Sequence, residues 1–347
     1  MLGARRRINS LADRLLPPQA ALFDQTVGMA RTQMIGTVAE LGVADELAKG
    51  PATAEELAGR LGVNADALHR VLRALALSDV IDLDAQGRFS LGRTGQALRS
   101  DHPMSVRDWA RYFASSSNAA AWADLTETVR TGKAAFPRVH SQSVWQWFAE
   151  HPEEERAFAG GMRGATEQDA PFIVNGYPWP DGGVLCDVAG GVGTLLAAIL
   201  DSRPGLRGVL VDGPGVLAEA EGWLAGRGLR ERVELAEGDI FRSLDARADV
   251  YVLKNILHDW DDQACATILK AVRAAMPEGS KLVLVEYLQE RNRPHVVASV
   301  SDIQMMNVCD DGRERSAEEL QALLVGAGLR AGGVHRTGGP ALVEGLA

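Results

Sequence analysis

Apolar and polar positions follow two different rhythms along the chain, and the change falls near residue 180. The earlier part reads as helical. Leu11, Leu15 and Leu16 precede Pro17-Pro18, and Met29 to Leu47 forms one long, mostly apolar helical pattern. Thr53-Ala54-Glu55-Glu56 is a capping box that predicts a helix through Leu61. Asn64 caps the next helix, in which Leu68, Val71, Leu72 and Leu75 recur at helical spacing. Val80-Ile81-Asp82-Leu83 and Arg88-Phe89-Ser90-Leu91 then flank Asp84-Ala85-Gln86-Gly87, which predicts a hairpin. Two short helices and a hairpin outline a winged helix over residues 1–105. Residues 106–180 form a helical connector that holds most of the aromatic residues, Trp145 among them. Most of these pack a core or junction, and a few are candidates to line an apolar pocket for a flat substrate.

From 181 to 347 short apolar runs alternate with helical segments. The runs are 184–188, 208–211, 233–236, 250–253 and 282–285. Cys265, Ile268, Leu269, Val272 and Met276 share one face of the segment Asp262–Met276. Such alternation predicts an α/β domain whose mostly parallel sheet is covered by helices. Gly332–Arg336 and Ala341–Leu346 predict a C-terminal antiparallel hairpin that closes the sheet.

The first run of this part leads into Asp187-Val188-Ala189-Gly190-Gly191-Val192-Gly193, followed by an apolar helix. A strand, a glycine turn and a helix N-terminus expose backbone N–H groups to a ligand. Gly191 and Gly193 fit the dinucleotide fingerprint, but Leu196 stands at its third glycine, which weakens the pyrophosphate reading. Ligands of such sheets bind beyond the C-terminal ends of the strands. The second strand delivers Asp212, about 20 residues on, where an acid can accept from a ribose diol. The third delivers Asp239, able to bond an adenine amino group or the ribose edge, with Ile240 and Phe241 as apolar residues to sandwich a ring. The fourth runs through Lys254 into Ile256-Leu257-His258-Asp259-Trp260. Each residue alone has a plainer reading: a helix-capping Asp, a surface His. Their occurrence together at one sheet edge favours a ligand with an adenosine moiety.

Composition narrows the class. Apolar residues at 46% and charged residues at 24% suit a soluble globular protein. A net charge of −10 argues against nucleic acid or an anionic membrane as partner. The three scattered cysteines make no metal spacing and suit a reducing compartment. No apolar run reaches the ~18 residues of a membrane helix, and Arg5-Arg6-Arg7 is followed by charge too soon for a signal peptide. A cytoplasmic protein is expected. The winged-helix outline admits two uses, DNA binding through Arg70 and Arg73 or dimerisation, and the surrounding acids leave it no basic excess.

The glycine loop, Asp212, Gly238-Asp239-Ile240-Phe241 and Leu253-Lys254-Asn255-Ile256-Leu257-His258-Asp259-Trp260 resemble the plant-type small-molecule O-methyltransferases, whose bacterial relatives decorate aromatic antibiotics. The resemblance implies a Rossmann-like class I methyltransferase sheet with an N-terminal dimerisation domain, a homodimer through those helices, and S-adenosylmethionine as donor to a phenolic hydroxyl without a metal. It further implies that Gly190, Gly191 and Gly193 meet the donor's methionine end, Asp212 its ribose, Asp239, Ile240 and Phe241 its adenine, and that Lys254 lies along it. By the same likeness His258 is the general base, with Glu286 and Glu314 as flanking acids. Met162 stands beside donor and acceptor, although a Met there reads equally as core. Asp302, Met305, Met306, Asn307 and Asp311 border the acceptor, or form a capped helix with a Met core face. Ala189, where a further glycine is frequent, and Gly213-Pro214, where Leu-Pro is typical, depart from the family pattern. The competing readings are a relative repurposed for hydroxylation, decarboxylation or a non-catalytic role, and a ligand-sensing DNA-binding regulator.

Overall fold

The computed structural model describes residues 14–292 and 295–347, so Leu11 and Arg5–Arg7 lie outside it. The chain forms two compact units. One comprises the residues up to Ala120 with Phe148–Gly164; the other comprises Ala121–Trp147 and Ala165–Ala347. The 25-residue helix Pro152–Gly176 therefore begins in the first unit and ends in the second.

In the first unit the helices Ala54–Leu61 and Ala65–Leu75 start where their caps stand. Thr53 and Glu56 exchange side-chain and backbone hydrogen bonds, and Asn64 Oδ1 accepts the Ala67 N–H at 2.9 Å. The hairpin pairs β1 (Ile81–Leu83) with β2 (Phe89–Leu91) antiparallel, Ile81 opposite Leu91. Val43, Leu47, Leu57, Leu72, Leu75, Ile81 and Phe89 form the core beneath it. The long helix expected over residues 29–47 is instead two, Gly28–Glu40 and Val43–Leu47. Gly42 at φ +70° separates them, a left-handed conformation that glycine adopts without steric cost.

The second unit is built on β3 (Gly182–Val188), β4 (Gly205–Asp212), β5 (Val233–Glu237), β6 (Val250–Lys254), β7 (Lys281–Glu286), β8 (Arg330–His335) and β9 (Ala341–Leu346). Among the described residues their order is β5-β4-β3-β6-β7-β9-β8. The first five are parallel, and β9 runs antiparallel to both β7 and β8. Alternate strand residues enter separate cores on the two faces, Cys186, Tyr251 and Leu284 on one, Leu185, Leu210 and Val252 on the other. Covering on both faces is why the central strands β6 and β7 are nearly continuous apolar runs, whereas β5 and β8 at the edges carry exposed residues. Chain order reverses between β3 and β6, so a crevice opens at their C-terminal ends.

Leu196 follows the loop in the helix Thr194–Ser202 and is fully buried. A Cβ on Gly208 of β4 would come within 2.9 Å of its side chain. Close helix–strand packing, the service of a third fingerprint glycine, is thus met from the strand side.

Candidate active site

The ends of β3, β4 and β6 bring a polar row to this crevice. Gly190 has no room for a side chain: a Cβ would lie 2.5 Å from the Asp187 carboxylate and 2.7 Å from Leu210. Gly191, at φ +61°, turns its N–H to Asp212 Oδ2 at 2.9 Å, and Gly213 donates to Asp212 Oδ1 at 2.7 Å. Gly193 takes φ +84° at the start of the following helix. Burial raises the Asp212 carboxyl, and the two amides pull it back. Asp187 is more enclosed. Burial pushes it up to about 7, against the Leu196 N–H, while Asp212 raises it further and Lys254 lowers it.

Two atoms in this row lack hydrogen-bond partners among the described residues, Asp187 Oδ2 and Lys254 Nζ. Lys254 Nζ lies 3.3 Å from Asp169 Oδ2, both side chains under a tenth exposed. The other oxygen of Asp169 accepts the Tyr287 hydroxyl at 2.5 Å. Farther along the edge, Asp239 Oδ1 accepts the Phe241 N–H at 2.9 Å, beside Ile240. Phe241 meets Trp260 edge-on at 4.7 Å, and Trp145 stacks on Trp260 at 6.0 Å.

Beyond β6 the chain turns through Asn255 at φ +53° into the short turn Leu257–Asp259. His258 stands there among carboxylates. Its Nδ1 lies 2.9 Å from Glu314 Oε1 and 3.7 Å from Glu286 Oε2, and its Nε2 lies 3.6 Å from Asp259 Oδ1. An ionised carboxylate only accepts, so Nδ1 carries the proton toward Glu314 and Nε2 is the working nitrogen. Glu286 Oε1 accepts the N–H groups of Ile256 (3.3 Å) and Leu257 (3.1 Å). Glu314 Oε1 also accepts from Ser301 at 2.6 Å, and the Glu314 N–H donates to Asp302 at 2.9 Å. Burial pulls the imidazole down, but Glu314, Asp259 and Glu286 overcome it and raise His258 to about 10. Burial raises Glu286 to about 7 and Asp259 to about 6. His258, Glu286 and Glu314 each place a ligand-type atom within 4.8 Å of the others, a spacing compatible with a metal ion.

The structure thus gathers His258, Glu286 and Glu314 into one cluster, and Gly190, Gly191, Gly193, Asp212 and Lys254 along the neighbouring strand ends. Asp302 holds the Glu314 backbone. Met305 and Met306 lie half-buried on the helix Val296–Val308. Met162 belongs to the first unit. No local motif or spacing points to Asp169, Tyr287, Ser301 or Arg315, because only the fold brings them to this edge.

Residues 122–330 match the O-methyltransferase domain and residues 23–101 the O-methyltransferase dimerisation domain. The chain is 36% identical over 304 residues to the mitomycin biosynthesis 6-O-methyltransferase of Streptomyces lavendulae, covering 87% of this chain and 86% of that one. The crystal structure of LaPhzM superposes with a TM-score of 0.92 at 35% identity, covering 95% of this chain and 99% of that one. NcsB1 from neocarzinostatin biosynthesis, solved with S-adenosyl-L-homocysteine and 1,4-dihydroxy-2-naphthoic acid, gives a TM-score of 0.78 at 32% identity, covering 92% and 96%.

Proposed function

The chain belongs to the S-adenosylmethionine-dependent O-methyltransferase family, and on that premise we propose that it methylates a phenolic hydroxyl of an aromatic natural product, with His258 as base. The observation that carries this reading is the 2.9 Å contact between His258 Nδ1 and the buried Glu314, which leaves Nε2 as the nitrogen to take a proton.

The residues at the sheet edge fit the donor. Asp187 Oδ2, which has no hydrogen-bond partner among the described residues, suits its ammonium, Lys254 lies along it while ion-paired with Asp169, and the open space at Gly191 lets it approach the backbone. Asp212 suits the ribose, and Asp239, Ile240 and Phe241 the adenine. When bound, S-adenosylmethionine supplies a methyl group on a positive sulfur. The protein must relieve the acceptor oxygen of its proton. A phenol near 10 and an unperturbed imidazole near 6.5 would make that transfer cost about 5 kcal/mol. With His258 raised to about 10 the transfer is close to balanced. Glu314 orients the ring and steadies the imidazolium, and Glu286 shapes the turn that presents it. Trp145, Met305 and Met306 are assigned to the acceptor's surroundings, and Asp302 acts there through Glu314. Dimerisation through the N-terminal helices follows from the matched dimerisation domain. A cytoplasmic location is supported by three buried free cysteines. No helix among the described residues is long and apolar enough to cross a membrane.

The test is incubation of labelled donor with 1,4-dihydroxy-2-naphthoic acid and further phenolic polyketides, locating the methyl group by mass spectrometry. His258→Asn is expected to lose most turnover, ~10²–10⁴-fold, while donor affinity by calorimetry stays at the parental value. Dialysis against a chelator is expected to leave turnover unchanged. Near-parental turnover of His258→Asn would remove the base assignment, and loss on chelation would reassign the carboxylates to a metal.

A further inference from the structure

We infer that Arg315 is a positioning residue for methyl transfer, its buried guanidinium holding the backbone on both sides of His258 while its chain neighbour Glu314 holds the ring. Arg315 is 3% exposed. One terminal nitrogen donates to Leu257 O at 2.6 Å, the other to Trp260 O at 2.7 Å. Those carbonyls bracket His258 and Asp259. The guanidinium is itself steadied by Asp262 Oδ1, which accepts from Nε at 3.0 Å and from a terminal nitrogen at 2.8 Å. Backbone bonds complete the frame: Arg313 N–H donates to His258 O at 2.8 Å, and Gln289 N–H to Arg315 O at 3.1 Å.

The turn is therefore gripped from two sides. Glu286 takes the N–H groups at its start, and Arg315 takes the carbonyls before and after the base. A planar fork can bridge two carbonyls and a carboxylate at once, whereas a lysine ammonium is a single point charge on a flexible stem. Because Arg315 and Glu314 are adjacent, movement of this segment would displace the acid and the turn together. No donor-facing residue named above hydrogen-bonds to Arg315. Its loss should disturb the His258–Glu314 geometry and spare donor affinity.

The inference rests on His258 being the base, and the experiment separates the two. Histidine-labelled protein is observed by ¹⁵N NMR without any acceptor present, and donor affinity is measured in parallel. The parent should show a slowly exchanging, downfield Nδ1–H resonance that disappears in both His258→Asn and Glu314→Gln. In Arg315→Lys that resonance should be lost or exchange-broadened, with donor affinity within about twofold of the parent. Turnover on any phenol the parent methylates should fall ~10²-fold, the scale of a 1 Å misplacement. Asp262→Asn, which loosens the guanidinium without removing it, should weaken the resonance to an intermediate degree. A parental resonance and turnover in Arg315→Lys would overturn the inference. So would a parental resonance with only a lower melting temperature, since that is a role in stability alone. Full turnover of His258→Asn would instead overturn the base assignment and leave the geometric role of Arg315 measurable by the resonance.

Discussion

At the scale of single residues, the His258 cluster makes a signed statement about pH. Three carboxylates raise the imidazole to about 10 despite its burial, so a base that works unprotonated is more available as pH rises. Turnover on a phenol should climb through the alkaline range, with its limb well above the ordinary 6.5 of histidine. Glu314 supplies the nearest part of that shift, so Glu314→Gln should move the limb to lower pH while lowering the plateau. A limb that stays in place would show that Glu314 does not set the proton affinity of the ring. Linkage gives the matching stability effect. A folded-state value above the unfolded one stabilises fully below about 6.5, and the contribution is lost as pH rises through about 10. A second residue carries backbone strain. Ala189 sits at φ +54°, a left-handed conformation that costs a non-glycine residue ~1–2 kcal/mol. Ala189→Gly relieves it but gives the unfolded chain more freedom, an opposing ~0.5–1 kcal/mol. The net expectation is a melting temperature higher by about 2 °C with donor affinity unchanged. A lower melting temperature would mean that the Ala189 methyl group packs more favourably than its backbone is strained.

Among the elements, legibility followed locality. The central strands of the second unit are readable because burial on both faces makes them short apolar runs, and the runs ending at Asp212, Lys254 and Glu286 carry those residues to the edge by chain continuity alone. Caps at Thr53 and Asn64 were readable because cap and partner lie three residues apart. What stayed hidden was non-local. Asp169 reaches Lys254 and Tyr287 from a distant helix, and Arg315 reaches Leu257 and Trp260 across more than fifty residues. The pairing of Leu196 with Gly208 belongs to the same class. A fingerprint search registers a missing glycine at 196, whereas the strand supplies one at 208, and the helix packs as closely. That exchange is testable as a cycle. Gly208→Ala puts a Cβ within 2.9 Å of a fully buried leucine and should cost ~1–3 kcal/mol by overpacking. Leu196→Ala alone should cost ~2–5 kcal/mol by leaving a cavity. The double variant should lose less than the sum by more than ~0.5 kcal/mol, because each change makes room for the other. Additive losses in denaturant melts would mean that the two side chains do not compete for the same space.

For the whole molecule, the first unit carries apolar surface that a solitary copy leaves in water. Leu22 is 62% exposed, Phe23 69% and Met29 76%, on and just after the helix Pro18–Thr26. Among the described residues that helix has none that is fully buried, which leaves Leu22 and Phe23 largely in water. Exposed apolar residues grouped in this way mark association surfaces, and Phe23 opens the stretch that matches the dimerisation domain. The winged-helix outline is otherwise poorly equipped for nucleic acid: Arg70 lies within 4.0 Å of Asp66 on its own helix, in a chain of net charge −10. Burying each large apolar side chain against a second copy contributes roughly 1.5–3 kcal/mol, so two of them account for a large share of a micromolar association. Leu22→Asp with Phe23→Asp touches no core residue and should leave the monomer folded. Sedimentation at micromolar concentration should then show the dimer boundary replaced by a monomer of 37.1 kDa, with circular dichroism unchanged. If the double variant still sediments as a dimer, the helix Pro18–Thr26 is not the interface, and the association must run through the remainder of residues 23–101.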